Sequence, residues 1–307
     1  MALERMFKPA AGMRPRLACE IRPEGVIAAR VSAEKRGRGD TIMAFAPLAA
    51  GALTPGLKVP NFTDARAVSA AVRQAIEATN ARDNDLTVVV PDAAARVLLL
   101  DFDTLPAKQQ DALPVVKFRL RKMVPFDVET AAVSYQTMAQ KGGQMSVLVT
   151  VMPAEVLAEY EGVVHEAGYG PGAVLPSTLA AAAGLAGNGA ALFVNHSQGS
   201  VTTAVTQGDE MLLHRSVDLP ADAAAREEEM AQAVITTLAW YEDTLRATPA
   251  QLYYAGPGGV LAARQSRWLK FVDPAPPVEE LPAPAHLSAL TSIPEGLAAG
   301  VTGALAS

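Results

Sequence analysis

The sequence predicts a two-lobed α/β architecture with an insert in one half. Two meanders of short strands, near 17–48 and 191–217, each precede a helix whose apolar residues recur every three to four positions. Each helix leads into a short apolar strand, LTVVV at 86–90 and LYYA at 252–255, and LTVVV in particular reads as a strand buried on both faces. Between the halves lies a block of different character that reads β-α-β-β-α.

Taken in order, 17–21 and 25–31 read as strands joined by a tight turn, with 41–48 a third after the charged loop EKRGRGD. The segment 64–80 places Ala65, Val68, Val72, Ala75 and Ile76 on one helical face, with Thr63 expected as N-cap. The inserted block comprises a strand at 97–102, a helical stretch at 107–123, strands at 132–138 and 145–151, and a helix at 153–167. Pro114 lacks an N–H and clashes with the preceding turn, so it is expected to kink or split the first of these helices. Pro153 suits the first position of the second helix, and Gly168 ends it. In the second half, strands at 191–194, 201–205 and 211–217 precede a helix at 222–247 with Met230, Val234, Leu238, Tyr241 and Leu245 on one stripe. Glu227, Glu228 and Glu229 near its start read as a solvated face favoured by the helix dipole. Beyond LYYA come Gly256, Pro257, Gly258 and Gly259, a Pro-rich stretch VDPAPPVEELPAPAH and a tail of small residues.

With 307 residues the chain can bury a substantial core. Cys19 is the only cysteine, so neither an intrachain disulfide nor a Cys-based metal cluster can form, which fits a reducing compartment. A net charge of −6 argues against nonspecific nucleic-acid binding. Residues 1–39 hold nine Lys/Arg against four Asp/Glu, an excess of +5, so the remainder carries −11. That basic arm is either a solvated tail or a contact for anionic lipid or an acidic partner. The opening MALERMFKPAAGMRPR lacks an apolar stretch of signal-peptide length, and no later window offers about 18 consecutive apolar residues for a membrane span. A cytoplasmic location is therefore expected.

Three short stretches, 20–26, 195–201 and 255–259, fit in order and spacing the two opposed phosphate-gripping hairpins and the Gly-rich turn of the actin-like and sugar-kinase-like ATPases. Along about 16–304, the stretches NFTDARAVSAAVRQAI, LTVVVPD, FRLRKMVPFDVETAAVSYQ, VLVTVMPAEVLAEYEGVVHEAGY, ITTLAWYEDTL and LYYAGPGG follow one another as in the PilM family. The chain thus resembles PilM, an actin-like component of type IV pilus assembly itself similar to FtsA. The resemblance implies a duplicated ribonuclease H-like fold: a tail (1–15), a first lobe (16–94), an FtsA-type insert (95–173), a return to the first lobe (174–188) and a second lobe (189–307). It also implies a platform that captures the cytosolic tail of a PilN-like inner-membrane protein, works with other pilus assembly proteins and reaches the membrane peripherally through them. The groove expected for the tail lies near Pro91, Val97, Leu99, Met123, Val124, Pro125 and Phe126, residues that would look much the same as core.

At the nucleotide site the sequence departs from the family. ATP-binding members read Asp-Ile-Gly, then small hydroxyl residues and a Lys, in the first hairpin. Here Glu20 replaces the Asp, Arg22 the glycine, Pro23 removes a donor, Gly25 remains, and Ile27 stands where the Lys would be. In the second hairpin Asn195, His196 and Ser197 replace Asp-Ile-Gly, with Gly199 and Ser200 left to turn the chain. Losing the two charged contacts weakens a phosphate grip by two or more orders of magnitude, at roughly 1.5 to 3 kcal/mol each. Arg22 either grips a phosphate bidentately or fills the vacated site and pairs with an acid such as Glu24.

The degenerate-pocket reading leaves no cofactor certain. The alternative is a working ATPase or nucleotide switch, with Glu20 helping to hold Mg²⁺, Arg22 the phosphates, and Gly256, Gly258 and Gly259 meeting the adenosine of ATP. A further alternative is the cytoplasmic lobe of a GspL-like type II secretion protein, in which a membrane span follows. Cys19 is expected in the core, His165 at a helix end, and the pair His196–Ser197 lacks the strand–elbow–helix context of a nucleophile.

Overall fold

The computed structural model describes residues 15–32, 40–141, 143–185, 189–282 and 286–306. Apart from Pro15 and Asp40, the basic tail and the loop EKRGRGD lie outside the described residues. Strands that are apolar on both sides need cover on both faces, and the first sheet meets that need. Its meander is β1 (Leu17–Arg22), β2 (Gly25–Val31) and β3 (Thr41–Pro47), followed by helix α1 (Ala65–Ala78) and strand β4 (Asp85–Val90). The N-cap of α1 is Asp64, which accepts from the Ala67 N–H at 3.0 Å, and not Thr63, whose hydroxyl donates to the Gly51 carbonyl at 2.8 Å.

The block that follows comprises β5 (Arg96–Phe102), α2 (Gln109–Leu120), β6 (Ala132–Lys141), β7 (Gln144–Met152) and α3 (Ala154–Glu166), the expected β-α-β-β-α order. Its three strands form a separate sheet in the order β5-β7-β6. Helix α2 runs through Pro114 without splitting, because Ala112, Val116 and Leu120 stay buried on one face. Proline there forfeits one backbone bond, and packing of that face offsets the loss. Pro153 is the N-cap of α3, one position before the first helical residue, and Gly168 follows with φ +97°. Val156, Tyr160 and Val164 of α3 sit in the same core as Val68, Val72 and Ile76 of α1. The last helix of the block therefore packs in the first lobe, leaving β5, α2, β6 and β7 as the part that stands apart.

The chain then returns through β8 (Gly170–Pro176) and α4 (Ser177–Ala182). The second half runs through β9 (Ala191–His196), β10 (Ser200–Gln207), β11 (Glu210–Asp218), α5 (Ala223–Leu245), β12 (Leu252–Ala255), α6 (Gly259–Gln265), α7 (Arg267–Lys270) and β13 (Val278–Glu280). Its sheet has the order β11-β10-β9-β12-β13, and the first repeats it as β3-β2-β1-β4-β8. Antiparallel and parallel pairings recur at equivalent places in both. This is the duplicated, two-lobed α/β architecture. Met230, Val234 and Tyr241 of α5 are buried against the second sheet, with Leu238 and Leu245 half-buried beside them. Glu227 is not simply solvated, since its Oε2 accepts from the Trp268 N–H at 2.6 Å and so caps α7.

The tail of small residues is structured. Strand β14 (Leu287–Ala289) adds to the edge of the first sheet beside β3, and helix α8 (Ala299–Ala306) covers that sheet's second face with Val301 and Ala304 among Ala18, Ile27 and Val89. The contact with α4 is close enough that a β-carbon at Gly303 would run into the Ala180 carbonyl. Gly303→Ala is expected to destabilise the protein by about 1–3 kcal/mol in urea unfolding. Gly162→Ala, on an exposed turn of α3 with open space around it, should be neutral or stabilise by about 0.5–1 kcal/mol.

Candidate functional site

The two meanders bring the β1–β2 turn, the β9–β10 turn and the turn after β12 together. Arg22 Nη2 donates to the His196 carbonyl at 3.3 Å, linking the first two. A β-carbon at Gly256 would come within 2.9 Å of His196 Cβ, which brings in the third.

Glu20 and Arg22 point to the same side of β1, two residues apart, as strand geometry requires. Both are buried. Arg22 Nη1 donates to Glu20 Oε1 at 2.8 Å, and Arg22 Nε lies 3.5 Å from Glu24 Oε2. The same Glu20 oxygen accepts from Ser177 Oγ at 2.8 Å, while Oε2 accepts the Val301 N–H, in the first turn of α8, at 3.0 Å. Asp92 does the same for α4: it accepts the Thr178 N–H at 2.9 Å and the Thr178 hydroxyl. A carboxylate at a helix N-terminus satisfies an orphan amide and meets the positive end of the dipole. From the other lobe, Asn195 Nδ2 reaches Asp92 Oδ2 at 3.1 Å, Ser177 Oγ at 3.1 Å and Thr178 Oγ1 at 3.0 Å. Asn195 Oδ1 is buried without a hydrogen-bond partner among the described residues.

The turns are likewise engaged within the chain. The Ser197 and Ser200 hydroxyls are 2.9 Å apart, and the exposed Gly199 gives its carbonyl to the Leu219 N–H at 2.9 Å. Gly25 lies beneath the ring of Phe45, where a side chain would clash. The Gly256 N–H donates to the Gly296 carbonyl at 2.9 Å, so residues ahead of α8 cover this turn. Gly258 and Gly259 have φ of +77° and +61° at the start of α6.

No protein-family model matches this sequence, and no curated protein sequence matches it. Among solved structures, the PilM–PilN type IV pilus biogenesis complex aligns with 95% of this chain and 98% of that chain, at TM-score 0.74 and 17% identity. The chain has a PilM-like, actin-like fold. The cytoplasmic domain of EpsL, an inner-membrane component of the Vibrio cholerae type II secretion system, covers 95% and 94% at TM-score 0.49 and 15% identity. The ethanolamine utilisation protein EutJ of Carboxydothermus hydrogenoformans covers 99% and 93% at 0.49 and 10%.

Within this PilM-like frame, Glu20, Arg22, Asn195, Ser197 and Gly256 lie on or beside the turns that meet, Gly258 and Gly259 follow at the start of α6, and Glu20 and Arg22 are bound to one another. Of the two readings of Arg22, the geometry has it paired with acids, and the nearer acid is Glu20. The seven groove residues do not line one surface. Alternation along β5 sends Val97 and Leu99 toward Phe193 and Met211 of the second lobe. Val124 and Phe126 pack on the opposite side of that sheet, with Leu98 and Leu100. Pro91 is buried at the end of β4, while Met123 and Pro125 are exposed. Sequence reasoning missed Asp92, Ser177, Thr178 and Tyr254. Pro176 followed by two hydroxyl residues was a usable helix-start signal.

Burial pushes the Glu20 carboxyl up, against the pull of Arg22 and its hydrogen bonds. Burial pulls Arg22 down, yet Glu20 and Glu24 hold its guanidinium above the ordinary value. Burial likewise raises the Cys19 thiol in the core. His196 shares a 3.0 Å bond with the Tyr254 hydroxyl, and burial, with Arg22 and Arg226 nearby, lowers its pKa from 6.5 to about 4. Burial lowers His214, and Asp92 opposes the shift.

An unfolded histidine takes up a proton near 6.5, so between pH 6.5 and 4 the unfolded chain binds more protons than the fold. Stability contributed through His196 is full above about pH 6.5 and falls as pH drops toward 4, by up to about 3 kcal/mol. His196→Gln is expected to flatten that part of a pH series of unfolding curves, while Glu20, raised in the fold, keeps its opposite slope. Glu20→Ala should destabilise by about 3 kcal/mol, because it leaves the buried Arg22 with only the more distant, partly exposed Glu24 as counter-charge, and Glu20→Met with Arg22→Met should cost less than Glu20→Ala alone.

Proposed function

We propose that this chain is a nucleotide-independent, actin-like platform in type IV pilus assembly that holds the cytosolic tail of a PilN-like membrane protein. The observation that carries the nucleotide half is the Glu20–Arg22 pair. A Mg²⁺–ATP site of this fold needs a free carboxylate for the metal and free donors for the phosphates. Glu20 is instead fully used by Arg22, Ser177 and the Val301 amide. A carboxamide stands at Asn195, and the Gly256 amide is given to Gly296. Displacing these contacts with a triphosphate would unpair two buried charges, a cost of several kcal/mol. The platform is therefore read as closed by its own residues.

The partner half is supported by the likeness to a structure that holds PilM with PilN. Among the described residues no helix is long and apolar enough to cross a membrane. The tail is proposed to dock where the chain crosses from the first lobe into the insert, against the outer edge of β5. An extended peptide there would gain affinity from backbone pairing and register from apolar pockets.

Isothermal titration with ATP and Mg²⁺ is expected to give no binding tighter than about 1 mM, or roughly −4 kcal/mol. Low-micromolar binding would reject the closed-platform reading and favour the nucleotide switch. A synthetic peptide copying the cytosolic tail of the PilN-like protein from the same organism should bind with a Kd below about 100 μM. Absence of binding at that concentration removes the partner assignment and leaves the nucleotide conclusion untouched.

A further inference from the structure

The outer face of α2 and the residues that flank it, Lys108 before and Lys122 and Met123 after, present apolar and cationic side chains to solvent. Phe118 is 71% exposed, Met123 46% and Val115 39%, although Ala112, Val116 and Leu120 on the other face are buried. Between Lys108 and Lys122 the sequence holds five cations, Lys108, Lys117, Arg119, Arg121 and Lys122, against Asp111 alone, in a chain of net charge −6. Arg121 lies over the Phe118 ring at 5.8 Å and is held by Glu129 at 2.7 Å. Lys117 Nζ donates to the Glu129 carbonyl. Lys108, Arg119 and Lys122 have no ion-pair partner among the described residues.

We propose that this face of α2 rests on an anionic membrane surface, with Phe118 and Met123 entering the boundary between headgroups and acyl chains and Lys108, Arg119 and Lys122 meeting lipid phosphates. An exposed aromatic flanked by long cationic side chains suits that boundary, where the ring buries apolar area and the stems snorkel. The face is the outside of a helix and so convex, a shape that deformable lipid covers without a matching groove. Its positive charge selects anionic headgroups and makes the contact sensitive to salt. The inference stands on α2 alone and holds whether or not the pilus reading does.

The test is sedimentation of the full chain with vesicles of phosphatidylcholine containing phosphatidylglycerol at about three parts in ten, compared with phosphatidylcholine alone, at low and high salt. Binding is expected with the anionic vesicles only, at least about tenfold weaker at high salt. Phe118→Ser and the pair Arg119→Glu/Lys122→Glu should each weaken it about tenfold or more with unchanged thermal melting, since these side chains lie outside the core. In Phe118→Trp, brominated lipid should quench the new fluorescence. Failure to sediment with anionic vesicles, equal binding to neutral vesicles, or binding that the α2 variants leave intact each overturns the proposal. The last of these would assign the contact to another basic segment. Phe118-dependent capture of an acidic protein without vesicle binding would assign the face to a protein partner and also overturn it.

Discussion

Glu20 receives, on two oxygens, hydrogen bonds from three separate parts of the chain: Arg22 on its own strand, Ser177 at the start of α4 and the Val301 amide at the start of α8. Through Arg22 the same group reaches the His196 carbonyl in the second lobe. A fully buried carboxylate is tolerated only with a paired charge and filled lone pairs, so each of these contacts constrains the others. The positions of β1, α4, α8 and the second meander follow from keeping that one side chain satisfied. Gly300 belongs to the same arrangement, because a β-carbon there would meet the Glu20 carboxylate at 2.6 Å.

The acids of this site thus act on the protein's own helices. Glu20 caps α8 and Asp92 caps α4, the role that a bound anion takes at a helix N-terminus. Asn195 bridges to Asp92, Ser177 and Thr178 without adding a third negative charge to a buried site. A second Asp there would face Asp92 at hydrogen-bond distance, and like charges in such a place raise each other's pKa and strain the fold. Glu20, Arg22 and Asn195, where this sequence departs from the ATP-binding pattern it resembles, are thus the residues that tie the helices of the first lobe and the second lobe together.

Much of the fold was legible because its signals are local. Meanders, the α1 and α5 stripes, the buried LTVVV strand and the Gly168 stop each report on a few neighbouring residues, and all appear where expected. Thr63 was misread, and α2 is not split at Pro114, because tertiary contacts outweighed local preference: the Gly51 carbonyl takes the Thr63 hydroxyl, and a buried face holds α2 through its proline. Helix α8 went unread because a run of Ala and Gly shows no amphipathic period, and its small residues make sense only as close packing against α4 and β1.

By itself the sequence determined the duplicated α/β plan and the departures from the ATP-binding pattern it resembles at Glu20, Arg22, Ile27 and Asn195, since periodicity and residue identity need no third dimension. It left open whether Arg22 would grip a ligand or pair with an acid, and it grouped Val97 and Leu99 with Val124 and Phe126. Only the tertiary structure decided these points. Arg22's partners are set by where burial brings Glu20, Glu24 and His196, across 174 positions of sequence in the last case. The two faces of the inserted sheet separate along β5 because alternate side chains of a strand point to opposite sides.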